Sequence, residues 1–88
     1  MKVFKHTLTY GINKLYLTKD AQFLDVQMQG DTAVIWTLAE QPEGSFQRNV
    51  LVCFTGKEID VTNMDVYLGT VQHKDLVYHV FEILWKLK

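Results

Sequence analysis

Serine occurs once in this chain, at Ser45, and alanine only at Ala21, Ala33 and Ala39. The shortage of alanine removes the strongest helix former. Cys53 and Pro42 are each the single residue of their kind. One cysteine excludes an internal disulfide, and a reducing cytoplasm is the expected compartment. Nowhere do 18 apolar residues follow one another, so no spanning helix and no membrane partner are expected. Polar residues interrupt Met1-Lys2-Val3-Phe4-Lys5-His6-Thr7, which leaves no signal-peptide core. A net charge of −1 and a pI near 6.2 provide no basic face for nucleic acid. Charge is spread in small amounts: +2 over residues 1–30, −3 over 31–60 and zero over 61–88, with no block of five like charges.

Catalytic vocabulary is equally thin. Ser45 stands beside Gly44 without a nucleophile-elbow pattern. Thr55-Gly56-Lys57 ends like a phosphate loop but lacks the upstream glycine. Cys53 lies in the most apolar segment, where a thiol acts as a small hydrophobe with a raised pKa. The histidines His6, His73 and His79 have no HxH or CxxC spacing to gather a metal. The expectation is therefore no catalytic residue, no metal and no cofactor.

What the chain has is sheet. Val, Ile and Thr supply 22 of its 88 residues, and β-branched side chains suit a pleated surface. Period-two alternation marks strands at residues 2–10, 14–18, 22–29, 32–39, 46–55, 65–73 and 76 to about 85. Gly30-Asp31 and Lys74-Asp75 join antiparallel hairpins. Gln41-Pro42-Glu43-Gly44 is a turn, residues 57–64 form the longest irregular loop, and the fifth strand is central. Leu76, Val80, Ile83, Leu84 and Leu87 also fit one face of a helix. The density of Val77-Tyr78-His79-Val80-Phe81 favours strand there. With 88 residues and 10.3 kDa, the reading is a single all-β domain over residues 1–88: a small antiparallel sandwich or barrel of about seven short strands, its C-terminal segment strand or helix. Val26, Val34, Trp36, Val52, Phe54, Leu68 and Phe81 are the expected core.

Eleven aromatic residues are many for so short a chain. Tyr67, His73, Tyr78, Trp85 and the single Arg48 are candidates for a stacking or amphipathic surface, with packing at the core or rim as the alternative. Alternation sends Tyr67, Gly69 and Val71 to one face of the sixth strand and Leu68, Thr70 and Gln72 to the other. A histidine at position 79 is not required by packing, and a buried ring needs a partner. It is either part of a binding surface with Thr70 or Gln72, charged by Lys57 or Arg48, or a fastening of the hairpin. Abundant aromatics and sheet edges that need cover point to a homo-oligomer, most simply a dimer.

Val66-Tyr67-Leu68-Gly69-Thr70-Val71-Gln72, followed by Val77-Tyr78-His79-Val80-Phe81-Glu82, resembles the closing signature of a family of small single-domain proteins of unknown function from tailed bacteriophages and prophage-bearing bacteria. Val3-Phe4-Lys5-His6, Ile35-Trp36-Thr37-Leu38 and Phe54-Thr55-Gly56-Lys57-Glu58-Ile59 match further parts of that pattern, which spans residues 2–82. The pattern's glycine before Thr55 and proline before Ile59 are absent. The resemblance implies a phage-encoded, non-enzymatic protein of the infected host cytoplasm that works by occupying a host molecule. The first expectation is a sponge for a nucleotide-derived defence signal, bound by Trp36, Arg48, Lys57, Tyr67, Thr70, Gln72, His73 and His79. A protein–protein inhibitor of a host enzyme or defence complex is the second, and a minor virion component the third.

Overall fold

In a computed structural model that describes residues 1–60 and 65–84, seven antiparallel strands form two sheets. They are β1 (Lys2–Leu8), β2 (Gly11–Leu17), β3 (Gln22–Gln29), β4 (Thr32–Ala39), β5 (Phe46–Phe54), β6 (Val66–His73) and β7 (Leu76–Ile83). One sheet runs β1-β4-β3 and the other β2-β5-β7-β6. Extents of 36 × 31 × 17 Å are those of two stacked layers. The described residues include no helix, and so none long enough to cross a membrane. Residues 61–64 of the expected loop, and the expected end of the last strand at Trp85, lie outside the described residues.

The helical alternative for the C-terminal segment is corrected. Leu76–Ile83 is strand because its backbone is hydrogen-bonded on both sides, to β5 and to β6. Both expected hairpins form, β3 with β4 and β6 with β7, and β5 is internal to its sheet. The second strand, expected over residues 14–18, begins earlier, at Gly11, whose φ is 92°. The crossing between sheets that precedes it is stapled by Asn13. Its Oδ1 accepts from Thr9 N at 2.8 Å, and its Nδ2 donates to Thr9 O at 2.8 Å and to Val50 O at 3.2 Å.

The layers meet over Leu8, Val26, Ile35, Val50, Val52, Val71 and Val80, all buried. Leu17, Ala21 and Ala39 form a second small cluster. Of the expected core, Val26, Val34 and Val52 are buried. Trp36, Phe54, Leu68 and Phe81 are only half-buried, for different reasons. Phe54 stands at the end of the sandwich, stacked between Tyr10 and Tyr78 at centroid distances of 4.6 and 5.0 Å. Leu68 packs against the core from a bulge. Trp36 and Phe81 face outward, because Ile35 and Val80 beside them take the inward places.

His6 faces inward and shares a 3.2 Å hydrogen bond with the fully buried Thr37. Burial holds its pKa below the ordinary histidine value, against a smaller upward pull from Glu43. The unfolded chain therefore takes up a proton below pH about 6.5 that the folded chain resists. Stability from this group falls as pH drops from about 6.5 towards the lowered folded value. Urea denaturation over that range is expected to lose part of its pH slope in His6→Asn. An unchanged slope would mean that the ring is solvated.

Candidate functional site

Regular alternation would put Tyr67 and Thr70 on opposite faces of β6. A β-bulge brings them together. Tyr67 pairs with Phe81, Gly69 with Val80 and Thr70 with His79, so one place on β7 faces two residues, Leu68 and Gly69. Leu68 turns to the core. Gly69 takes φ 154°, a backbone conformation that residues with side chains rarely adopt. A Cβ there would stand 2.6 Å from Val26 Cγ2 of the opposing sheet. Tyr67 before the bulge and Thr70 after it thus share the outer face, beside His79.

These side chains form one hydrogen-bonded cluster. Tyr67 Oη lies 2.8 Å from His79 Nδ1 and is bonded also to Thr70 Oγ1. His79 Nε2 lies 2.7 Å from Oγ1 of Thr55, just beyond the end of β5. Thr55 Oγ1 also reaches Val77 O at 3.4 Å. With Tyr67 donating to Nδ1, Nε2–H donates to Thr55, whose hydroxyl passes on to the Val77 carbonyl; the other tautomer reverses the His79 bonds. Either way both ring nitrogens are engaged by hydroxyls. What the cluster presents is a rigid, solvent-facing aromatic and hydroxyl surface. Tyr67, 49% exposed, is braced edge-on against Phe81 at 5.0 Å.

Next to it on the same face lies an apolar cleft of about 310 Å³ lined by Ile12, Leu51, Cys53, Ile59 and Ile83. Lys57 sits on its wall together with Glu58 and Asp60. Gly56, at φ 83°, turns the chain there, and Lys57 N donates to Phe54 O at 3.2 Å. Cys53 is buried, and burial pushes its thiol pKa up, which keeps it protonated and unreactive.

Of the eight expected site residues, the structure thus brings together Tyr67, Thr70 and His79, with Lys57 on the neighbouring cleft. Arg48 lies elsewhere, on the inward face. It grips Glu82 with Nε at 2.7 Å and Nη2 at 2.8 Å, donates to Ala21 O at 2.5 Å, and covers the Phe23 ring at 4.4 Å. Its charge is spent on holding the fold. Trp36 is on the other sheet, its Nε1 donating to Gln27 at 2.9 Å. His73 reaches Asp31 at 2.5 Å and joins the two hairpin tips across an end cleft of about 190 Å³. Gln72 is exposed, with a 3.4 Å bond to Lys74 O. Trp85 lies outside the described residues. No three metal-ligating side chains converge among the described residues. Sequence reasoning missed Thr55 as a member of the cluster. A β-branched hydroxyl residue directly before Gly56 was the available signal.

The chain matches the model of the family described as Domain of unknown function (DUF7352) over residues 1–84, and it belongs to that family. No curated protein and no solved structure matches it.

Proposed function

We propose that this DUF7352 chain is a non-enzymatic binding protein, phage-encoded and acting in the infected host cytoplasm, whose working surface is the outer face of β2-β5-β7-β6. The observation that carries the reading is the Tyr67–His79–Thr55–Thr70 cluster. Its groups satisfy one another at the surface, where folding alone does not demand them, and a Gly-only bulge is spent on aligning them. Aromatic and hydroxyl groups on a firm backbone, beside an apolar cleft, are the materials of a protein-binding hot spot.

Charge selects between ligand classes. A nucleotide-derived signal needs cations against phosphate. Arg48 is held by Glu82, and Lys57 shares its cleft with Glu58 and Asp60. The face suits a host protein better than a phosphorylated small molecule, so inhibition of a host enzyme or defence complex stands ahead of the nucleotide sponge.

His79→Ala tests the assignment with two readouts. Because the ring lies at the surface, the variant is expected to melt within a few degrees of wild type, as exposed substitutions do. It is expected to lose most of the host protein that wild type retains on affinity capture. Retention per folded molecule equal to wild type, or a collapse of stability, would make His79 a fastening of the hairpin and nothing more.

A further inference from the structure

In an antiparallel sandwich, outward positions are ordinarily polar. Strands β4 and β5 break that pattern, with apolar residues on both faces. The outward side of β5 is accounted for: Leu51 and Cys53 line the cleft to which Ile59 contributes. The outward side of β4 is Val34, itself fully buried, with Trp36 and Leu38 half-buried, and it is flanked by Val3, 55% exposed, and Leu24, 48% exposed. The Lys5 side chain reaches across β4, donating to Gln29 Oε1 at 2.9 Å, and Trp36 Nε1 donates to Gln27 Oε1 at 2.9 Å on the same face.

We propose that a second copy of this chain covers the outer face of β1-β4-β3, in a two-fold dimer whose axis runs along β4. The cross-strand row centred on Trp36 selects that occupant. Lys5 pairs with Trp36 from one side and Asp25 from the other, which gives a positive, an apolar and a negative place in line. Rotation by 180° about the β4 axis sets Trp36 against its own copy, Lys5 over the partner's Asp25, and Asp25 over the partner's Lys5. An axis perpendicular to the strands would oppose like charges and is excluded. The face is thus complementary to itself, as an isologous interface must be. Lys5 gives up an exposed, neutral hydrogen bond with Gln29 to make the pair. The surface is separate from the Tyr67–His79 face, and neither assignment depends on the other.

Sedimentation velocity across the micromolar range, on the full chain, tests this. Wild type is expected to move from 10.3 kDa towards twice that mass as concentration rises. Lys5→Asp and Asp25→Lys are each expected to be monomeric, with unchanged circular dichroism. Each alone faces its own copy with two like-charged pairs. Mixed together they are expected to form a heterodimer, since one supplies two acidic places and the other two basic ones. A wild type monomeric throughout, or a dimer indifferent to both substitutions, would overturn the proposal. So would a mixture that stays monomeric while Val3→Glu, a fold-neutral change at the rim, leaves the wild-type dimer intact.

Discussion

Arg48→Met is expected to unfold at far lower urea than wild type, with about 3–5 kcal/mol of stability lost. Glu82 is the only charged side chain buried among the described residues, at 6% exposure, and Arg48 meets it with two parallel hydrogen bonds. Without the guanidinium, a carboxylate remains inside the sandwich with no counter-charge, and Ala21 O loses its donor. A chain of this length has roughly 4–13 kcal/mol in total, so the variant sits near the edge of folding. Arg48→Met/Glu82→Leu is expected to regain most of the loss, because an apolar pair needs no compensation. A single-variant loss below about 1 kcal/mol would place the pair in water rather than in the interior.

Gly69→Ala is the second large effect, about 3 kcal/mol from backbone strain and overpacking together. The methyl group meets Val26 Cγ2, and Val26 is itself locked in the core. Relief requires β6 to withdraw from β3 or the bulge to slip by one residue. Slippage would return Tyr67 to the inner face and separate it from His79. Thermal melting reads the stability, and through-space NMR contacts between the Tyr67 and His79 rings read the geometry. Those contacts are expected to vanish even in the fraction that stays folded. Wild-type stability with the contacts intact would show that the bulge tolerates a side chain.

The strands were legible because their signals are local. Leu24, Val26 and Met28 alternate with polar residues, Gly30-Asp31 and Lys74-Asp75 punctuate the hairpins, and an apolar run from Val50 to Phe54 marks an internal strand. Faces were harder. Alternation carries no sign for β4, where Val34, Ile35 and Trp36 are all apolar, so Trp36 reads as core although Ile35 holds the inward place. The same ambiguity put Phe81 in the core. At the candidate site, Tyr67, Thr70 and His79 were visible as residues, but not as neighbours. Their meeting depends on a bulge that adds one residue to one strand, and period-two reading has no term for it. Arg48 was legible as the lone guanidinium. Its partner Glu82 lies 34 positions away, and only the β5–β7 pairing sets the two on one face.

Native mass spectrometry of the chain purified from phage-infected bacterial cells tests the central claim most directly, because it reads the bound mass itself. Wild type is expected to carry a protein-sized partner, and His79→Ala, equally folded, to carry none. A bound mass of nucleotide size, no bound mass at all, or the same partner on both proteins would contradict it.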